Sequence, residues 1–222
     1  YADRMIARMC LEEDRVRVIY PGVDISETAP AFHATKPPVI GYLSRLNPAQ
    51  GFEYLINAFM NLKQEEARSD LQLRATGGVT PADTPFVDSI EQRLVETGMM
   101  EAVVLQRAFH AAPDATFFGG LTVMSAPAIN GEAFGMHILE AMVRGIPVVQ
   151  PDISAYPEII YASQGGLLYD PDDKDGLSNA LRTVVTDPEY ARQLGMQGYE
   201  YARKNFCIAR MAEDMIAFYE RS

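Results

Sequence analysis

The sequence predicts a doubly wound, Rossmann-like α/β fold, with a parallel sheet of about six strands and helices on both faces. Three observations carry that expectation. Short apolar runs rich in β-branched residues recur along the chain, amphipathic helical stripes lie between them, and most of the runs are apolar throughout instead of alternating. Continuous apolarity marks strands covered on both faces, which is the situation of a parallel sheet.

The runs are Pro38 to Leu43, Leu71 to Ala75, Ala102 to Gln106, Leu121 to Ser125, Ile146 to Gln150 and Gly166 to Tyr169. After the first, Phe52, Leu55, Ile56, Phe59 and Met60 recur at i, i+3, i+4, i+7 and i+8, so one face of a helix is buried there. After the second, Phe86, Val87, Ile90, Leu94 and Val95 do the same. Gly98 then suits the left-handed residue that closes many helices. Beyond the sixth, Leu177, Ala180, Leu181, Val184 and Val185 form a further stripe that stops at Asp187-Pro188, and Glu189 to Ser222 reads as two more helices. Ahead of the main domain, Val16 to Tyr20 reads as a short strand running into a turn at Pro21 to Asp24. Alternation of strand and helix implies right-handed crossovers. Ligands of such folds sit at the carboxyl ends of the strands, so the loops that follow strands are the ones to read for chemistry.

Composition narrows the function. The 222 residues give room for one sizeable core with extras, and 48% apolar with 22% charged residues is ordinary for a globular protein. Nineteen basic against thirty acidic residues give a net charge of −11, which disfavours nucleic acid. An anionic ligand would need local help from backbone amides, a helix N-terminus or one well-placed arginine. Cys10 and Cys207 lie far apart without metal-ligand spacing, as free thiols in a reducing cytoplasm would. There is no run of about 18 apolar residues and no basic leader, so neither a membrane span nor a signal peptide is expected. The chain starts at Tyr1 instead of Met, as a fragment or trimmed chain would.

Negative evidence removes other chemistries. His33, His110 and His137 are scattered, so no metal site is expected, and His137 reads as a filler within a helix. No G-x-G-x-x-G opens a helix, no phosphate-binding G-x-x-x-x-G-K-[ST] loop exists, and no G-x-S-x-G elbow is present. Gly77-Gly78 after the second run is an ordinary turn.

Two loops remain. The first follows the run at Leu121 to Ser125, where Glu132 and Glu140 stand eight residues apart, one in the loop and one in the helix that begins near Gly135. The amides of Phe134, Gly135 and Met136 are then first-turn donors without intrahelical partners, a cradle for a diphosphate or a sugar hydroxyl. Glu132 sits at its rim. Glu140 is flanked by Ile138, Leu139, Ala141, Met142 and Val143, where an unpaired carboxylate is costly, so a partner is expected. The second loop, Ser44 to Gly51, carries Arg45, whose planar fork can pair with phosphate. Without further context, a helix-start acid for Glu132, a surface glutamate for Glu140 and a surface ion pair for Arg45 remain open.

The run from Glu132 through Ala133, Phe134, Gly135 and Met136 to Glu140-Ala141-Met142 reproduces an E-x-F-G-x-x-x-x-E-A-M pattern. With Gly145-Ile146-Pro147-Val148-Val149, Pro157-Glu158-Ile159 and Gly165 to Pro171, it resembles the group 1 glycosyltransferases, also called glycosyltransferase family 4, of GT-B fold. Val18 to Asp24 is similar to that family's interdomain connection, and the likeness spans roughly Val16 to Tyr219.

The resemblance implies the C-terminal half of a GT-B enzyme engaged in carbohydrate biosynthesis. Residues 1–28 would lead from a missing N-terminal domain, 29–205 would bind the donor, and 206–222 would pack back toward the missing domain. It implies transfer of a sugar from a UDP-, GDP- or ADP-linked donor with retention of configuration, without a bound metal or other cofactor. The acceptor, a sugar, lipid or other glycosyl acceptor, would lie mainly in the missing domain, so the 222-residue chain alone would bind but scarcely transfer. The protein would be cytoplasmic, with any peripheral membrane contact made through that domain. Carried over by position, Glu132 would contact the donor sugar, residues Ala133 to Met136 would line the donor and supply amides, Glu140 would hold the ribose hydroxyls, and Arg45 would neutralise the leaving diphosphate.

One departure stands out. The family's G-R-L-x-x-x-K-G appears here with Ser44 for the glycine and Gln50 for the lysine that shares the diphosphate. Loss of that charge removes part of the transition-state stabilisation. It suggests one alternative, a catalytically lapsed nucleotide-sugar-binding module, and the shared architecture leaves a second, a sugar-nucleotide epimerase of GT-B shape.

Overall fold

The structure is a computed structural model that describes residues 2–25, 30, 36–109 and 115–220. Six strands, β1 (Val39–Leu43), β2 (Gln72–Thr76), β3 (Val103–Gln106), β4 (Val123–Met124), β5 (Val148–Pro151) and β6 (Gly166–Tyr169), form one sheet in the order β3-β2-β1-β4-β5-β6. Every pairing is parallel. The helices are α1 (Ala2–Met9), α2 (Phe52–Lys63), α3 (Thr84–Glu96), α4 (Ala115–Phe118), α5 (Met136–Met142), α6 (Tyr156–Ser163), α7 (Gly176–Thr186), α8 (Pro188–Asn205) and α9 (Ile208–Tyr219).

Both sheet faces are covered, as the unbroken apolar runs require. One core joins Ile40, Tyr42, Leu73 and Val123 to Phe52, Leu55, Ile56 and Phe59 of α2, Val87 and Ile90 of α3, and Leu177 and Leu181 of α7. The other joins Val39, Met124 and Val148 to Phe117 and Phe118 of α4, Ile138, Leu139 and Met142 of α5, and Ile159 and Ile160 of α6. Asp187 accepts from the Tyr190 amide and Pro188 occupies the first turn, so the dipeptide that ends α7 also starts α8.

The stretch Val16 to Tyr20 is not a strand. It finds no sheet edge, and among the described residues its segment makes one isolated bridge, Val23 to Cys207. The run Leu121 to Ser125 pairs as a strand only at its centre, Val123–Met124. Three short helices, α1, α4 and α6, carry too few residues for a helical stripe to be read from sequence. His33, His110 and the boundary at residue 28 lie outside the described residues.

The strand order reverses between β1 and β4, and it is at such a switch point that two loops diverge and leave a crevice. The loops leaving these two strands are the two that the sequence singles out.

Candidate active site

The loop from Ser44 to Gly51 and the loop from Ser125 to Gly135 are packed against each other. The Ile129 amide donates to the Ala49 carbonyl at 3.1 Å. Gly51 has φ 71°, and a Cβ there would lie 1.8 Å from the Pro127 carbonyl oxygen, so only glycine permits the approach. Beneath the first loop, the buried Tyr42 hydroxyl lies 2.9 Å from the Arg45 carbonyl and 3.2 Å from that of Gln50. Burial pushes this phenol far above its ordinary pKa, so it remains a donor to the loop.

Arg45 is half exposed, and its Nε pairs with Asp83 at 3.2 Å. Thr80 donates to the same Asp83 oxygen at 2.5 Å. The pair of Nη groups on the guanidinium makes no hydrogen bond or ion pair among the described residues. Gln50 is neutral, and its Oε1 accepts from Ser44 Oγ at 3.1 Å. The two residues that depart from the family pattern are thus each other's partners.

In the second loop, Ser154 Oγ donates to the Glu132 carbonyl at 2.7 Å. The Glu132 carboxylate lies 3.4 Å from His137 Nδ1 through Oε2 and is about a quarter exposed. The hydrogen bond from His137 holds its pKa below the ordinary value, against burial, which pushes it up. Ala133 is exposed. The Phe134 ring turns back onto Tyr20 and Phe206, each 5.8 Å away, so only its backbone faces the loop. Gly135, φ 90°, is the residue before α5, and no side chain caps it. The amides of Phe134, Gly135 and Met136 have no hydrogen-bond partner among the described residues. With seven residues, α5 has a small dipole, so the attraction for an anion comes from those free N–H groups themselves.

Glu140 has the partner its apolar surroundings call for, and it is Arg144. Nη1 of that residue reaches Oε2 at 2.5 Å. The guanidinium lies 4.0 Å above the Phe118 ring. Oε1 of Glu140 stays free among the described residues.

The structure therefore puts Arg45, Gln50, Glu132 and the amides of Phe134 to Met136 on two packed loops at the carboxyl end of the sheet, with Glu140 beyond the first turn of α5, tied to its own helix. It also shows residues that sequence reading missed. His137 is no filler: it joins Glu132 to Gln150. Its signal was a polar residue, like Gln150, inside an otherwise apolar run. The hydroxyls of Tyr156 and Ser125 are buried without a partner among the described residues. Burial, and after it the Glu132 carboxylate, pushes the Tyr156 pKa up. Among the described residues, no cluster of three or more His, Cys, Asp or Glu could hold a metal ion, and no helix is long and apolar enough to cross a membrane.

An arginine fork and unpaired amides on two clasped loops, at the switch point of a 3-2-1-4-5-6 sheet, define the class: a doubly wound α/β domain with free hydrogen-bond donors at its crevice. Within that class the chain belongs to the glycosyl transferases group 1 family, whose model matches residues 25–201. It is 26% identical over 227 residues to a D-inositol 3-phosphate glycosyltransferase of Corynebacterium efficiens, covering 95% of this chain and 52% of that protein. It is 27% identical to a GDP-mannose-dependent phosphatidylinositol monomannoside mannosyltransferase of Mycolicibacterium smegmatis, covering 84% of this chain and 51% of that protein. Among solved structures, sucrose-phosphate synthase from Thermosynechococcus elongatus superposes with a TM-score of 0.80 at 24% identity, covering 99% of this chain and 55% of that one. HepE from Anabaena, in complex with UDP, gives 0.82 at 21% identity, covering 99% and 61%. The fold is thus that of GT-B glycosyltransferases, and the chain spans about half the length of the curated relatives it matches.

Proposed function

We propose that the chain is the donor half of a retaining glycosyltransferase, in which Arg45 and the amides of Phe134 to Met136 receive the diphosphate of a nucleotide sugar. The observation that supports this best is the pairing of free Nη groups with free backbone amides across two loops locked together at Gly51. In the reaction, the bond from the anomeric carbon to the diphosphate oxygen breaks and an acceptor oxygen, losing its proton, takes its place on the same face. Negative charge gathers on the departing oxygen, where preorganised donors lower the barrier most. Glu132 accepts from a hydroxyl of the donor sugar, Ala133 lines the same edge, and the free oxygen of Glu140 accepts from the ribose. The acceptor is held by a domain outside this chain, without which the chain binds more than it transfers. No metal is needed for charge neutralisation in this reading. Calorimetry against UDP-, GDP- and ADP-sugars tests it, and silence toward all of them overturns it.

The hydrogen bond from Ser44 to Gln50 favours a second reading, a nucleotide-sugar-binding module with little turnover. It holds a neutral amide where the family pattern has a cation. A Gln50→Lys variant that tightens UDP binding severalfold and raises donor turnover in the full-length parent would support this reading. Unchanged affinity would show that position 50 faces away from the phosphates.

A further inference from the structure

Gln150 is fully buried at the carboxyl end of β5, and His137, 6% exposed, is buried on α5. In the amide orientation that satisfies its neighbours, the Gln150 nitrogen donates to the Ala126 carbonyl at 3.0 Å. Its oxygen then accepts from the Ala126 amide at 3.3 Å and from His137 Nε2 at 3.1 Å. Backbone hydrogen bonds on both sides of that amide fix which atom faces the imidazole, and thereby place a proton on Nε2. A ring pinned at Nε2 presents Nδ1 in one direction, toward Glu132 Oε2 at 3.4 Å. Tyr156 closes the side of the ring edge-on, 6.1 Å between centroids.

Packing alone does not call for this arrangement. Around His137, Ile138, Leu139, Ala141 and Met142 fill the buried face of α5 with apolar side chains, and a further one would serve there. With acceptors facing both ring nitrogens, only the doubly protonated imidazolium serves both, and in that form Nδ1–H is a donor to a carboxylate whose main chain is itself tethered, through Ser154 at 2.7 Å. Glu132 is therefore fixed at both ends, with Oε1 free among the described residues.

We propose that His137 and Gln150 are positioning residues that hold Glu132 Oε2, so that Oε1 meets a hydroxyl of the donor sugar in a preset orientation. The proposal rests on the reading of Glu132 given under Proposed function and extends it to two residues outside the family pattern. A carboxylate already ordered loses less freedom on accepting a ligand hydroxyl, so the gain appears in the sugar-dependent part of the affinity.

The test compares bare nucleotides with their sugars, UDP with UDP-glucose, GDP with GDP-mannose and ADP with ADP-glucose, by calorimetry on the whole chain. For the pair that binds, His137→Phe is expected to reduce the gain due to the sugar by about tenfold. Affinity for the bare nucleotide should stay within about twofold, since that part of the ligand does not meet Glu132. Glu132→Gln should show the same loss, and the double variant no more than either alone. His137→Asn, whose amide nitrogen falls near the position of Nδ1, should restore most of the gain. A folded His137→Phe that keeps the gain while Glu132→Gln loses it overturns the proposal and leaves the role of Glu132 standing. A Glu132→Gln that keeps the gain removes the role of Glu132 itself. Should His137→Phe not fold, long-range nitrogen–proton spectra of the unaltered protein decide: protons on both ring nitrogens, and an Nδ1 resonance that moves with the nucleotide sugar but not the bare nucleotide, support the proposal. A proton missing from either ring nitrogen, or an Nδ1 that is indifferent to the sugar, overturns it.

Discussion

In the proposed function Arg45 is the residue on which anion binding turns, and its expected contribution separates cleanly from stability. Its ion pair with Asp83 is half exposed, and such pairs contribute little to folding. A charge-assisted contact to phosphate contributes about 1.5–3 kcal/mol. Arg45→Ala is therefore expected to weaken UDP binding by about tenfold or more while shifting the urea midpoint hardly at all. Equal loss of both would mean that the loop, and not the charge, had been damaged. Glu132 gives a pH signature. Its folded-state pKa lies below the ordinary 4.5, so the stability it contributes is complete above that value and is lost as pH falls through the lower, folded one. Thermal melts from about pH 5 to about pH 3 should show a decline that Glu132→Gln makes shallower. Glu65 and the exposed Glu189, whose pKa values their arginines also lower, contribute to the part that remains. Glu132, Gly135 and Arg45 were legible in the sequence because their pattern is local. The partner of His137 was not, since Gln150 stands thirteen residues away on a strand and only the fold brings them together. The same holds for Arg45 and Asp83.

At the scale of elements, the strands and long helices were legible because burial on both faces or on one leaves a period in the residues. Val16 to Tyr20 has strand-forming residues but no edge to pair with, and pairing is a property of the fold that no run of five residues contains. How loops lock together is likewise visible only in space. Gly51 and Gly98 both have left-handed backbones, φ 71° and 68°, and in the sequence both are simply glycines beside a helix. A Cβ on Gly98 meets nothing within 4 Å, whereas one on Gly51 runs into backbone at Pro127. Gly98→Ala should cost about 1–2 kcal/mol, the strain of the conformation alone. Gly51→Ala should cost about 3 kcal/mol or more and weaken UDP binding as well, because the two loops must part. Urea unfolding of the two variants side by side decides it, and equal costs would show that the contact at Pro127 yields freely.

The whole molecule ends in a surface that its own residues leave open. The bridge from Val23 to Cys207 and the pair of Arg17 with Asp214 at 3.3 Å hold the first segment and α9 at one corner. On α9, Ile208, Ile216 and Tyr219 are 46%, 57% and 69% exposed, and no residue of that helix is buried. The apolar residues of α9 were legible in the sequence, and the family resemblance already implied that they face away from this core, since it has 206–222 pack toward a missing domain. Such an uncovered apolar face can meet a second copy of the chain. Two copies each carrying a charge of −11 repel, and the repulsion reaches about 30 Å at 0.01 M salt but about 8 Å at 0.15 M. Sedimentation should therefore show self-association that strengthens between these salt concentrations, opposite to the behaviour of a contact held by ion pairs. Ile216→Glu with Tyr219→Glu should abolish it without moving the thermal midpoint, since neither side chain is buried. Association that weakened with added salt, or that survived both substitutions, would place the contact elsewhere and leave α9 without a role in assembly.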